Sequence, residues 1–495
     1  MKMKNIFSTK NFLFLLLAST VGFTGCKKFL DVNENPNNPD SATPTLLLPT
    51  VEASLGQLMG NSFQVFGGIW AQYWTQSPVA GQYRNFDRYS VTNTAFDRSW
   101  TTIYRNALVN ADLIIKSETP NSDNVKGIAY ILKAYTFQAA TDAFGDVPLA
   151  DALDATKSSS PKYDAQSAVY DSVFVYIDKG IALLKSSATT ALGEQDIVFQ
   201  GNAAKWTAFG NTLKLRAYLR ISGVDAQKSQ AGIRALYAAN PTFLNEDAQI
   251  KYSTTGGNQN PLYNEAVGLG FVQNLGASAT AVNGFKRNND PRAFKFYDVI
   301  APADTISNIL NGASNLSSNS GKSISSPSAL VGGRANNPAS ATAPVKLISS
   351  AESAFLQAEA VARGWAAGTV SALFQSGIQA SFAATNLTSA QAAAYIATAP
   401  DAQLGTSAAT QIKAIITQKY YAMCGTQGFE AWTEYRRTGY PNFLITSVTS
   451  VLGAGRTPLR FLYPNSEAVS NGNYPGTVVL YQPVWWDVAT TVLPN

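Results

Sequence analysis

The chain of 495 residues contains no histidine. That absence removes serine–histidine and cysteine–histidine catalysis, histidine-ligated zinc, and the commonest general base near neutral pH. Glycosidases that work through a pair of carboxylates stay open, because they need only Asp and Glu. Cysteine is almost as scarce: with Cys26 and Cys424 alone, no disulfide framework can staple the fold. Charge is sparse, at 14% of residues with a formal net charge of +5, which argues against nucleic acid as a partner. Beyond the first 25 residues no run of about eighteen apolar residues occurs, so nothing there reads as a spanning helix. At 45% hydrophobic content, a chain of this length can build a large core or two to three lobes.

The N-terminus is better endowed. Lys2, Lys4 and Lys10 introduce the stretch Asn11 to Gly25, which ends at Cys26. A basic start, an apolar run of about ten residues and small residues before a cut describe a signal peptide. A thiol just past the cut is what a lipoprotein signal needs, since diacylglycerol alkylates it before cleavage makes it the first residue. Cys26 is therefore the expected lipidation site, although Phe23 stands where leucine is commonest. Removing the signal with its three lysines lowers the net charge from +5 to +2. Acyl chains then hold the protein at a membrane without any transmembrane helix.

These features divide the chain into a signal peptide (1–25), a lipidated tether (26–44) and a single domain (45–495). The tether, Asp31 to Asp40, is polar and broken by proline. Its Asp31, Asn33 and Asn35 spacing imitates a calcium loop, but Pro36 replaces the required glycine and Ala42 the bidentate glutamate, so no metal site is read there. Within the domain, 45–250 has helical periodicity. Trp100, Tyr104, Ala107, Ala111 and Ile114 share one face. Asn121 and Ser122 suit a cap before the helix carrying Ile128, Leu132 and Tyr135. Further helices begin near Ala165 and before Trp206. The segment 251–345 is a loop-rich insertion, with a low-complexity polar run from Asn308 to Asn337. Helical repeats return over 346–440, and 441–495 reads as an irregular or β-like tail. The expected fold class is mainly α, built of tetratricopeptide-like hairpins with a loop-rich, irregular half, although no strict 34-residue period is present.

Four segments are more particular than generic helix. They are Lys133–Phe137 running into Thr141–Leu149, then Pro161–Asp164; Gly201–Asn202 with Trp206 and Asn211–Arg216; Ala351–Ala360 with Arg363–Trp365; and Gln418–Lys419 leading to Gly428–Pro441. In this order, after an anchor followed by Phe29-Leu-Asp31, they resemble the SusD/RagB family of Bacteroidetes surface lipoproteins. The resemblance implies a helical body of about four tetratricopeptide-like units, in a non-enzymatic binding protein without a cofactor, anchored in the outer membrane and exposed at the cell surface. It also implies a partner, a SusC-type TonB-dependent barrel, and an oligosaccharide or, in some members, a peptide as ligand. From the residues themselves these motifs read mostly as scaffold. Phe144 to Pro148 is a helix stop. Phe429, Trp432 and Tyr435 fall at helical spacing, with Glu430 and Glu434 within reach of Arg436 or Arg437. Glu352 and Glu359 lie two turns apart, roughly 10 Å by helical rise, too wide for a retaining acid pair and better suited to bonds between helices.

A glycan site needs exposed aromatic platforms beside amides, carboxylates or arginines, on loops. Two stretches qualify, Tyr73–Tyr89 and the pair Asn260–Tyr263 with Phe285–Asn288. The candidate ligand residues are Trp74, Gln76, Tyr83, Arg84, Asn85, Phe86, Arg88, Tyr89, Asn260, Tyr263 and Arg287, with Trp74 the readiest to be core instead. The same interleaving of Arg and Tyr could bind single-stranded nucleic acid, which export and near-neutral charge oppose. The leading expectation is a lipid-anchored surface protein that captures a glycan and passes it to the barrel. The alternatives are peptide capture by the same architecture, a surface glycosidase, or a ligand-free lid for the barrel.

Overall fold

The computed structural model describes residues 43–154 and 156–489. The signal segment, Cys26 and the Asp31–Ala42 stretch lie outside the described residues.

Pro44–Gln57 (α1) carries Leu48, Val51 and Leu55 at three- and four-residue spacing, and all three are fully buried, as an amphipathic stripe requires. It passes through a π-helical turn, Leu58–Ser62, into Phe63–Trp70 (α2). The Trp100 helix opens in the same way into a π turn, Thr102–Leu108, before Val109–Lys116 (α3). Sequence periodicity does not reveal such turns, because one extra residue barely disturbs the apolar spacing. Asp123–Phe144 (α4) ends at the expected stop, with Gly145 at φ 83°. Its start differs from expectation: the Ser122 hydroxyl donates to the Thr119 carbonyl at 2.6 Å and caps nothing. Gln166–Leu183 (α5) follows, then Ala203–Arg220 (α6), capped by the Asn202 side chain, and Ala226–Ala238 (α7).

The loop-rich segment holds two helices of more than one turn, Pro261–Gly268 (α8) and Ala279–Arg287 (α9), and the single turn Ala293–Phe296. Regular helix resumes with Ser350–Ala362 (α10), Val370–Ala384 (α11), Ser389–Thr398 (α12), Ala408–Met423 (α13) and Gly428–Thr438 (α14). Helices pair as α4–α5, α6–α7, α10–α11 and α13–α14, a stack of tetratricopeptide-like hairpins. Strands are short: Trp74–Gln76 (β1), Val147–Pro148 (β2), Tyr163–Asp164 (β3), Ala248–Ile250 (β4), Leu275–Ala277 (β5) and Val345–Ile348 (β6). They form the antiparallel pairs β1–β5, β2–β3 and β4–β6, with Trp74 opposite Ala277 in the first. The tail after 441 is irregular, with no strand among its described residues.

The four motifs meet in one buried ion network. Asp142 from α4, Glu352 and Glu359 from α10, and Glu430 and Glu434 from α14 face Arg216 and Arg220 from α6, Arg363, Lys419 from α13, and Arg437. Anions and cations match one for one, which is the condition for keeping charge inside a core. Glu359 ties Arg437 to Arg363 across 2.7 Å contacts. Burial alone would raise the Glu434 carboxyl, but the charges of Arg437, Lys419 and Arg220 hold it well below the usual carboxylate range. Trp486, from the tail, closes the network by donating to Asp142 at 2.8 Å and lying under Arg436. Helices α2 and α14 touch at glycines, where a Cβ on Gly67 would sit 2.3 Å from the Phe429 nitrogen.

The loop-rich segment is stitched down rather than solvated. Asn311 donates to the Ile69 and Trp74 carbonyls and to Asp87, whose other oxygen accepts from Thr75 and from the Gly312 backbone. Burial pushes Asp87 up to about 6 despite these donors. The polar run therefore supplies the hydrogen bonds that irregular backbone cannot make with itself.

Candidate functional site

Most of the residues expected to form aromatic platforms lie inside. Trp74 is fully buried, packed against Gly68. Gln76 is buried too, its amide donating to the Ser77 and Asn274 carbonyls and its oxygen accepting from the Tyr83 nitrogen. Phe86 stacks on Phe66 at 4.0 Å, and the buried Tyr89 hydroxyl accepts from the Ser447 nitrogen. Asn260 caps α8, accepting from the Leu262 and Tyr263 nitrogens. Tyr263 is buried beside Phe271. All six are buried, so they expose little surface and pack as walls and struts of the fold,. Arg84 and Arg88 are half-buried, and Asn85 is exposed. Arg287 is exposed but engaged, donating to Asp401 at 2.6 Å with its guanidinium 5.0 Å over Phe443.

Two open grooves lie on the loop-rich half. The larger, about 490 Å³, runs between the C-terminal end of α9, the turn Asn289–Phe294, and the segment 304–308. Its floor is Val282, Phe285 and Ile306. Phe294 stands 58% exposed at its wall. Ala293–Phe296 is a single helical turn in which Phe296 is buried, so Phe294, two residues earlier, must face out,. Around the rim are Asn283, Lys286, Asn289 and Asp304, whose side chains make no hydrogen bond or ion pair among the described residues. An apolar floor, one exposed ring and free amides and charges at the edge suit a ligand with an apolar face and polar edges.

The second groove, about 360 Å³, lies over α8 between Gln57, Gln82, Arg98, Asn264 and Glu265. Glu265 accepts from the Tyr83 hydroxyl and from the Asn61 amide. Burial and this carboxylate push the Tyr83 phenol up, so it remains a donor. The candidate stretches of the sequence include Phe285 and Lys286 of the first groove and Gln82 and Pro261 of the second, but not Phe294, Arg98 or Glu265. Phe294 carried a usable signal, two phenylalanines at alternate positions of one turn. Arg98 and Glu265 carried none, being separated by more than 160 residues and joined only by the fold.

Residues 36–464 match a family model described as starch-binding, associating with the outer membrane. The chain belongs to the SusD-like family. Among solved structures, a chitin-binding protein has 25% identity to this SusD-like chain and a TM-score of 0.76, covering 90% of this chain and all of its own. A chitin-binding SusD homologue from Flavobacterium johnsoniae has 23% identity and a TM-score of 0.74, over 90% of this chain and 97% of that one. A SusD/RagB family protein from Bacteroides thetaiotaomicron has 23% identity and a TM-score of 0.75, over 90% and 99%. No curated protein matches the sequence. The motifs that carried the resemblance are the ones that build the ion network. Among the described residues, no helix is long and apolar enough to cross a membrane, and no cluster of His, Cys, Asp and Glu is placed to hold a metal ion.

Proposed function

We propose that this protein is a surface-exposed binding lipoprotein that captures a glycan in the α9 groove and passes it to a SusC-type TonB-dependent barrel. The observation that carries this reading is Phe294, an exposed ring beside unpaired amides over an apolar floor. A pyranose presents the matching chemistry, a C–H face for the ring and hydroxyls for Asn283, Asn289 and Asp304. Membership of a starch-binding family and the chitin-binding relatives support a glycan as the ligand class. The floor of Val282, Phe285 and Ile306 would also accept the methyl of an N-acetylated sugar. Acylated Cys26 would hold the protein at the outer membrane, and the reading requires no catalyst.

Calorimetry against maltoheptaose, chitohexaose and a wider neutral oligosaccharide panel tests the proposal. Covering one face of Phe294 removes on the order of 60 Å² of apolar surface from water, about 1.5 kcal/mol, so Phe294→Ala should weaken binding about tenfold. Unchanged affinity in this variant, or binding of peptides and no glycan, would overturn the reading. Incorporation of labelled palmitate, abolished by Cys26→Ala, tests the anchor, and copurification of a barrel tests the partner.

A further inference from the structure

Two π-helical turns occur among the described residues, and each connects to the second groove through one of its lining residues rather than lining it. The first, Leu58–Ser62, places Asn61 so that its amide fixes Glu265. The second, Thr102–Leu108, contributes Thr102 and Asn106 to an adjoining depression of about 460 Å³, also lined by Gln57. A π turn is less stable than the α-helix it interrupts and concentrates at binding sites, where it redirects side chains. Arg98 is exposed in the groove, and its guanidinium makes no hydrogen bond or ion pair among the described residues. The side chains of Gln57, Gln82 and Asn264 are likewise uncommitted. No aromatic side chain lines this groove, and the charges of Arg98 and Glu265 cancel.

We propose that this groove is a second ligand site, free of aromatic stacking, that binds the hydroxyl edges of a neutral saccharide. Arg98 supplies a rigid fork of donors for adjacent hydroxyls. The amides of Gln57, Gln82 and Asn264 both donate and accept, and Glu265 has lone pairs beyond those used by Tyr83 and Asn61. A net-neutral lining gives an anionic ligand no field to enter by, while hydroxyls use donors and acceptors in equal measure. The proposal rests on the glycan reading of the chain but on different residues, so the two can fail separately.

The test is calorimetry on the full chain with the same neutral panel, plus trigalacturonate as an acidic probe, at low and high salt. In a Phe294→Ala background, Arg98→Ala should lower residual affinity for a neutral oligosaccharide at least tenfold, with no dependence on salt. Arg98→Lys should lose most of that affinity too, because the charge remains while the fork is gone. The proposal is overturned if no neutral member of the panel shows Arg98-dependent binding. It is equally overturned if such binding is confined to trigalacturonate, is abolished by salt and survives in Arg98→Lys, the behaviour of an anion site. Loss of the Phe294 effect with the Arg98 effect intact would sink the first groove and leave this one standing. Arg98 is exposed and unpaired, so circular dichroism of the variants should match wild type.

Discussion

Glu434→Gln should be among the most damaging single changes in the chain, although it alters one atom. Glu434 is buried and pairs with Arg220, with Arg437 at 2.7 Å and with Lys419 at 3.2 Å. The amide keeps the shape but removes the charge that holds three buried cations, and its NH2 points donors at donors. Removing one partner of a buried pair costs about 3–5 kcal/mol, a large part of the 5–15 kcal/mol that typically separates folded from unfolded protein. Urea denaturation followed by tryptophan fluorescence reads this as a fall in midpoint. Lys228→Ala, which breaks the exposed Lys228–Asp171 pair, is the control and should cost well under 1 kcal/mol,. The pH dependence adds a second readout. Because Glu434 titrates well below its unfolded value, its stabilisation is complete above the unfolded pKa and is lost as pH falls through the folded one. Wild type should therefore lose stability on acidification, and Glu434→Gln should lose less. A midpoint for Glu434→Gln no lower than that of Lys228→Ala would refute the idea that the network clamps these helices.

Glu52 provides the opposite sign. Burial, with the Asp196 carboxylate beside it, pushes its pKa well above the ordinary value, and its Oε1 finds no donor. The folded state holds a proton that the unfolded state releases, so stability is fullest below the unfolded pKa and falls by up to about 1.4 kcal/mol per pH unit above it. Glu52→Gln should flatten that slope between pH 5 and 8, and an unchanged slope would show that Glu52 is not protonated in the fold. Gly67→Ala should destabilise strongly, because its Cβ meets Phe429 backbone at 2.3 and 2.4 Å and the backbone cannot yield. Overpacking typically costs about 1–3 kcal/mol, here with loss of the Phe63–Phe429 and Trp70–Trp432 contacts. A wild-type denaturation midpoint would contradict the close approach of α2 and α14.

The helices were legible because each buries a stripe whose spacing is local. Leu48, Val51 and Leu55 announce α1 whatever surrounds them, and Gly145 announces the end of α4. The ion network was half legible: Glu430, Glu434 and Arg437 share one helix, but nothing local tells that Arg220 and Lys419 complete the set. Trp74 and Tyr89 show the limit of composition. An aromatic beside polar residues looks like a platform, yet in a loop held by Asp87 and Asn311 the polar neighbours satisfy the backbone and the rings turn inward.

Fold stability and groove chemistry are carried by different residues. Most members of the ion network answer to several partners, so a substitution there leaves a buried charge exposed to its own desolvation cost. The groove residues answer to no one: Phe294, Asn283 and Asn289 in one, Arg98, Gln57 and Asn264 in the other make no bond that the fold needs. Exchanging any of these except Asn289, whose φ of 48° favours Asn or Gly, should move stability by no more than about 0.5 kcal/mol, the ordinary range for surface positions,. The scaffold is thus recognisable in structures of about one-quarter identity or less, while the groove side chains are free to vary without cost to the fold.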